Sequence, residues 1–178
     1  MKNSIAVIAL AICVAASAAE PSPSPKVAEL QPFVGTWHCS GTAFAYPFEP
    51  EHPTKAMIVV QPVLGGFWLD INFTEELTAQ NPEPNAGKVH WGWDEGLQHY
   101  TGYSLDDKGG INSIESDGWQ GNTIVWRGTE RIAGQSFATR DTFIRERAGG
   151  YLHIGEAMIG GVWQKIDQEN CRKERQIF

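Results

Sequence analysis

The chain has 178 residues and carries 21 acidic against 14 basic side chains, a formal net charge of -7 at pH 7. This acidic balance argues against a nucleic-acid-binding protein, which needs clustered Lys and Arg to contact phosphates. The length corresponds to one ordinary domain, large enough to bury a sizeable core.

The first 19 residues have the layout of a cleavable secretory signal peptide. Lys2 precedes an uncharged run at residues 4–19, and the small residues Ala16, Ser17 and Ala18 mark the cleavage region. The run is shorter and richer in Ala than the stretch of about 20 strongly apolar residues that a membrane span needs. The sequence therefore predicts a signal peptide at residues 1–19 and a periplasmic or secreted protein without stable membrane insertion.

Two cysteines remain once Cys13 is removed with this leader. Cys39 lies near the start of the mature chain and Cys171 near its end, and in an oxidising compartment they are expected to form a disulfide. The bridge would bring the first and last strands side by side, because bonded cysteines hold their Cα atoms within about 7 Å. Two free buried thiols are the alternative.

The mature chain opens with a segment that is unlike the rest. Residues 20–26 (EPSPSPK) are rich in Pro and Ser and predict a flexible linker, so the folded domain is expected to span residues 27–178. Residues 27–33 are expected to form one helical turn, with Leu30 and Phe33 pointing into the end of the fold.

From Gly35 onward, short segments rich in aromatic and β-branched residues alternate with segments rich in Gly, Pro, Asn and Asp, a pattern typical of strands and tight turns. The predicted strands are Thr36–Tyr46, Lys55–Gln61, Phe67–Glu76, Lys88–Asp94, Gln98–Leu105, Gly110–Ser116, Thr123–Glu130, Phe137–Arg145, Tyr151–Ala157 and Gly161–Cys171. A meander bridged at its ends avoids exposed sheet edges by closing. The prediction is an all-β fold, a single closed antiparallel up-and-down barrel of about eight to ten strands.

The segment Leu30–Trp37 (LQPFVGTW) resembles the opening of the calycin superfamily, which includes the lipocalins. The motifs at His90–Asp94 (HWGWD) and Tyr100–Tyr103 (YTGY) are similar to those of a secreted bacterial calycin-like family of unknown function. The resemblance implies that Trp37 packs across the closed end of the barrel. It also implies that a basic residue after the last strand, Arg172 or Arg175, covers the Trp37 ring by a cation–π contact.

Some haem-binding calycin-like barrels share the Gly-Thr-Trp opening but carry an iron-ligating histidine near the C-terminus. Here no histidine follows His153, so the last strand cannot supply that ligand. No cofactor is expected. His90, His99 and His153 lie on different predicted strands, but no short His-x-His or His-x-x-His pair supports a metal site, and none is predicted.

The seven tryptophans are the most informative feature of the composition. They are expected either to line a cavity for a flat or chain-like apolar molecule or to fill the core and rim. A buried acid paired with Arg127 would supply a polar group, unless it is an ordinary cross-strand pair. The candidate ligand-binding residues are Trp68, Asp70, Trp91, Trp93, Tyr103, Glu115, Trp126, Arg127 and His153.

No nucleophile elbow or phosphate-binding loop is present in the sequence. The preferred hypothesis is an exported barrel that sequesters or carries a small hydrophobic molecule, with no partner protein inferable. The alternative is a cofactor-independent enzyme that performs proton transfer, isomerisation or cyclisation on an apolar substrate in the same cavity. A well-packed barrel that acts as an envelope interaction protein is the third hypothesis.

Overall fold

The computed structural model describes residues 20–147 and 149–175. The predicted signal peptide at residues 1–19 lies outside the described residues and stays a prediction. Within the described part of the chain, no helix combines the length and the apolar character needed to cross a membrane.

Eleven β-strands account for most of the described residues, which confirms the predicted all-β class. Their bounds are β1 Gly35–Ala43, β2 His52–Val63, β3 Trp68–Glu75, β4 Ala86–Asp94, β5 His99–Asp106, β6 Ile111–Ser116, β7 Trp119–Gln120, β8 Thr123–Ile132, β9 Gln135–Arg145, β10 Gly150–Ile159 and β11 Val162–Lys173. All pairings are antiparallel, in the order β6-β5-β4-β3-β2-β1-β11-β10-β9-β8-β7.

The sheet closes on itself because β6 also pairs with β8. Ten strands therefore form a closed antiparallel barrel, as predicted. The extra strand β7 has two residues and follows β6 after a break at Gly118, whose φ of 86° is a conformation that glycine adopts without strain. Beyond that break, Trp119 of β7 pairs with Ile124 of β8.

A helical plug, which we define as residues 25–33, closes one end of the barrel. It consists of helix α1 (Pro25–Ala28) and a 3₁₀ turn (Gln31–Phe33). Leu30 and Phe33 are both buried, as the sequence predicts. The helix begins at Pro25, with Ser24 as its N-cap, and so includes the last two residues of the segment 20–26 that was expected to be a flexible linker.

Hydrogen bonds tie this plug to the barrel wall. The Tyr100 hydroxyl lies 2.7 Å from Glu29 Oε2 and 3.0 Å from the Lys26 carbonyl oxygen. The indole Nε1 of Trp37 donates to the Phe33 carbonyl oxygen at 2.7 Å, and that of Trp119 donates to the Glu29 carbonyl oxygen at 3.0 Å. These bonds fix the plug against strands on several sides, so this end of the barrel is closed.

The disulfide between Cys39 and Cys171 is present, as predicted. The two cysteines are directly opposite each other in the β1·β11 ladder, and both are buried inside the barrel. The bridge thus joins the first and last strands of the barrel across a sequence separation of 132 residues.

The basic residue that covers Trp37 is Lys173, whose Nζ lies 5.4 Å from the centre of the Trp37 ring. The expectation that Arg172 or Arg175 would do so is wrong. Lys173 is directly opposite Trp37 in the ladder, whereas Arg172 is one position away and turns outward to pair with Glu146. Alternation of side chains along β11 explains the difference.

Candidate functional site

A cavity with a volume of about 480 Å³ occupies the interior of the barrel. It extends from Phe33 in the helical plug toward the opposite end, where Phe48 in the β1–β2 loop, Lys108 in the β5–β6 turn and Ala133 in the β8–β9 turn contribute to its wall. The cavity has an apolar half next to the plug and a polar half toward these loops.

Aromatic rings make the floor of the apolar half. Trp91 and Trp126 stack with ring centres 4.6 Å apart and planes 13° from parallel. Phe143 meets Trp91 edge-on at 5.5 Å, and Phe33 does so from the plug at 5.1 Å. Among the described residues, neither indole nitrogen of the stacked pair has a hydrogen-bond partner. The aromatic floor, defined as Phe33, Trp91, Trp126 and Phe143, is therefore a closely packed layer of rings with two unpartnered N–H donors, in which Trp126 is fully buried.

In the polar half, His153 lies among three carboxylates. Its Nε2 is 3.1 Å from Asp141 Oδ1, and its Nδ1 is 3.1 Å from Asp167 Oδ1 and 3.8 Å from Glu169 Oε2. The Thr54 hydroxyl donates to the other oxygen of Glu169 at 2.8 Å. We refer to His153, Asp141, Asp167 and Glu169 as the His153 cluster.

Both ring nitrogens of His153 lie against carboxylate oxygens, an arrangement that favours the imidazolium form. Burial alone would lower the pKa of His153, but the charge of Asp167 and the hydrogen bonds to Asp141, Asp167 and Glu169 outweigh burial and raise the pKa well above its usual value. Both ring nitrogens then donate to carboxylates. His153, Asp167 and Glu169 offer ligand atoms within 4.8 Å of one another, which is the spacing of a metal site, and a metal bound there would displace the proton from the His153 ring.

Glu130 lies on the β8 side of the polar half. Burial, reinforced by the charges of Asp106 and Asp141, raises the pKa of Glu130 to about 7. Nearby in the cavity wall, Asn112 donates from Nδ2 to the Thr139 hydroxyl at 2.8 Å, and its buried Oδ1 has no partner among the residues that the structure describes. A carboxyl group that titrates near neutral pH therefore shares the cavity with an unused amide acceptor.

Glu49 and Glu75 add two more carboxyl groups nearer the loops. Glu49 Oε1 lies 3.7 Å from His52 Nε2 and 3.9 Å from Lys108 Nζ, and burial raises the pKa of Glu49. Glu75 Oε2 accepts hydrogen bonds from the side chain of Asn81 at 3.0 Å and from the backbone of Asn85 at 2.8 Å. This end of the cavity is acidic despite the lysine.

Residues 22–129 match the model of a family described as Protein of unknown function (DUF1579). The chain belongs to this family. A search of curated proteins finds no match. Among solved structures, the crystal structure of Rv2717c from M. tuberculosis is similar, with 12% sequence identity, a TM-score of 0.63, and coverage of 86% of this chain and 100% of that one. At this identity the likeness shows the barrel fold and nothing further.

Of the nine predicted ligand-binding residues in this DUF1579 protein, three line the cavity, namely Trp91, Trp126 and His153. Trp93 lies on the same face of β4 as Trp91, but it packs at the plugged end against Tyr100, 5.0 Å between ring centres, and outside the cavity lining.

The other five predicted residues lie on the outer face of the barrel. Trp68 packs over Gly92, and Asp70 lies 3.4 Å from His90 and accepts a hydrogen bond from Asn72. The remaining three, Tyr103, Glu115 and Arg127, border a shallow depression on the outer wall. Arg127 lies 3.7 Å from exposed Asp117, so the predicted pairing of Arg127 with a buried acid does not form. His90 and His99 face outward and do not converge with His153.

The sequence interpretation missed Glu130, Asp141, Asp167 and Glu169. A signal for two of them was present, because Asp167 and Glu169 lie at even spacing from Cys171 and so share its face of β11. Once Cys171 is assigned to the interior by its bridge, both carboxylates must point into the barrel. Glu130 and Asp141 had no comparable reference point.

Glu130→Gln is expected to stabilise the protein above pH 7. The folded state holds the Glu130 proton more tightly than the unfolded chain, so stability falls as pH rises from about 4.5 to about 7 and the full penalty applies above that. The variant should gain up to about 3 kcal/mol over the wild type at pH 8 and almost nothing at pH 4. Urea unfolding at both pH values measures this, with Glu115→Gln on the outer wall as the matched control. An equal gain at both pH values would contradict the raised pKa of Glu130 as the cause.

Proposed function

We propose that this protein is an exported binder of a small apolar or aromatic molecule, which it sequesters or carries inside the barrel. The observation that carries the proposal is the aromatic floor at the closed end of an otherwise open cavity. The cavity volume of about 480 Å³ lies within the range of roughly 300 to 1,000 Å³ that small-molecule sites occupy. A calycin-like classification, from the resemblance around Trp37, fits the same role.

The stacked rings favour a flat ligand. An apolar ring system that lies on this floor would cover the ring surface that Phe143 and, to a small extent, Trp91 leave toward the cavity. The two indole N–H groups have no partner among the described residues, and buried donors without partners are costly, so a ligand oxygen that reached one of them would add affinity. Both contacts would make the binding of a ligand in the cavity more favourable.

Export is part of the proposal. The buried Cys39–Cys171 disulfide is of the kind that persists in oxidising compartments, and the predicted signal peptide at residues 1–19 would deliver the chain there. Mass spectrometry of the protein recovered from the periplasm or the medium tests this. A mature chain that starts at or next to Ala19 supports export, and a full-length chain confined to the cytoplasm argues against it.

Ligand binding is tested with a flat neutral probe, 2-naphthylmethanol, by isothermal titration calorimetry. We expect Trp126→Leu to weaken binding about tenfold, because it removes the buried ring on which Trp91 is stacked and so disrupts the aromatic floor. Trp68→Leu on the outer wall is the matched control and should bind as the wild type does. Native mass spectrometry of the freshly purified protein should also reveal a co-purified small molecule.

A second variant guards against a loss of binding caused by unfolding. Val89 lines the cavity beside Trp91 on β4, and Val89→Trp would fill the space without removing a core ring. We expect this variant to fold, to be at least as resistant to heat as the wild type, and to lose the probe. A wild type and a Val89→Trp variant that bind the probe equally would refute the cavity as the binding site.

One observation favours the catalytic alternative. Glu130 has a pKa raised to about 7 in a cavity floored by aromatic rings, and a carboxylate of that basicity is suited to abstract protons at neutral pH. A direct test uses 5-nitrobenzisoxazole, a flat aromatic compound that opens when a base removes its ring proton. Turnover that rises through pH 7 and disappears in Glu130→Gln, but not in Glu115→Gln, would support an enzyme. A rate equal to that of buffer counts against it.

A further inference from the structure

The polar half of the cavity carries a large excess of acidic groups. Seven carboxyl groups line the cavity against one lysine and one histidine. The seven acids are Glu49, Glu75, Asp106, Glu130, Asp141, Asp167 and Glu169. A recessed cavity with this balance concentrates positive charge from solution, because its low-dielectric walls focus the field of the carboxylates.

The two cationic side chains, His153 and Lys108, already interact with other groups. Imidazolium His153 donates to Asp141 and Asp167 and has Glu169 close by, so one positive charge faces three carboxylates. Lys108 Nζ donates to the carbonyl oxygen of Glu83 at 3.2 Å and lies near Glu49 at the loop end. Neither cation is paired with Glu130.

An independent observation points to a hydrogen-bond donor at the same place. Asn112 is 94% buried (6% exposed), and within residues 20–147 and 149–175 its Oδ1 has no partner, although its Nδ2 donates to Thr139. An unpaired buried acceptor is costly unless something donates to it. Asn112 on β6 and Glu130 on β8 are directly opposite each other in the β6·β8 ladder, which places the amide and the carboxyl group side by side on one wall of the barrel.

The third element is the aromatic floor below these groups. A simple inorganic cation would use the carboxylates but not Trp91 and Trp126, whose ring faces favour an apolar body. Aromatic faces also attract organic ammonium groups. A ligand that satisfies both halves of the cavity has a ring system at one end and a positive charge at the other.

We propose, building on the proposed binding function, that the ligand is an amphipathic organic amine. Its ring system lies on the aromatic floor, and its protonated nitrogen donates to Glu130 and to Asn112 Oδ1. Asp106 and Asp141, whose charges act on Glu130, add negative charge to this part of the cavity. The cavity therefore selects against anionic ligands of the same shape, such as aromatic or fatty carboxylates.

The test compares three probes that share one ring system and differ only in charge: 2-naphthylmethylamine, 2-naphthylmethanol and 2-naphthoate. We expect calorimetry at pH 7.5 and low salt to give about tenfold tighter binding for the amine than for the alcohol, and the weakest binding for the carboxylate. Added salt should reduce the advantage of the amine.

The outcomes separate this inference from the binding function on which it rests. Alcohol binding as tight as amine binding would overturn the inference and leave the binder intact. Failure of all three probes, with the wild type folded, would count against the binding function itself and the inference with it. Preference for the carboxylate would overturn the charge argument directly.

Variants at Glu130 locate the effect. Glu130→Gln should lower the ratio of amine to alcohol affinity about fivefold, and Glu130→Asp, which keeps the charge, should restore most of it. Glu115→Gln removes one carboxylate from the outer wall and should leave the ratio unchanged. An unchanged ratio in Glu130→Gln, with a native melting curve, would show that Glu130 does not hold the amine.

Discussion

The Cys39→Ala/Cys171→Ala double variant is expected to lose about 5 kcal/mol of the free energy of unfolding. The bridge spans 132 residues of sequence, and the entropy that a cross-link removes from the unfolded chain grows with the length of the loop it closes. The bridge also joins β1 to β11, a contact between strands at opposite ends of the chain. Guanidinium unfolding of oxidised wild type and variant measures the loss.

The two single-cysteine variants serve as matched controls, because each of them breaks the same disulfide. Each single variant, Cys39→Ala or Cys171→Ala, breaks the whole cross-link, so either one should cost nearly as much as the double variant. Wild type that has been unfolded and refolded in reductant should be as unstable as the double variant. The unfolding step is needed because Cys171 is fully buried and closed to reagents in the folded barrel. A double variant within about 1 kcal/mol of the oxidised wild type would mean that the barrel closes without help from the bridge.

The fold was predictable because its signals are local and agree with one another. Strand residues alternate, turns carry Gly, Asn and Asp, and the spacing of Cys39 and Cys171 requires the chain ends to meet. The ten predicted strands correspond to ten of the eleven observed ones. The two-residue β7 was missed because so short a segment, Trp119–Gln120, has no alternation to read.

The site was harder to predict, because alternation shows that two faces exist and not which one is inside. On β3 both faces carry aromatic residues, Trp68 on one and Phe73 on the other, and composition favoured the wrong one as the cavity wall. A shift of one residue exchanges the faces of a strand. For that reason Asp70 was predicted to face the cavity and lies outside, whereas Asp167 was overlooked and lies within.

His153→Gln is expected to cost about 3 kcal/mol of stability at pH 6, the lower end of the range for breaking a buried pair, because it removes the cation that faces Asp141, Asp167 and Glu169 and leaves these partly buried carboxylates without it. The pKa of His153 is higher in the folded than in the unfolded state, so the contribution of protonated His153 to the stability of the fold is fully present below about pH 6.5. That stabilisation is lost as pH rises through the higher folded pKa.

The structure supplies a matched control and a rescue for this variant. His90 lies 3.4 Å from Asp70 on the outer wall with a more exposed ring, so His90→Gln should cost less than about 1 kcal/mol. Adding Asp141→Asn and Asp167→Asn to His153→Gln removes the unpaired charges and should recover part of the loss, which a simple packing defect would not allow. Urea unfolding across pH 4 to 9 distinguishes an effect of unpaired charge from a packing defect. A deficit in His153→Gln that is the same at every pH would mean that His153 supports the barrel by its shape and not by its charge.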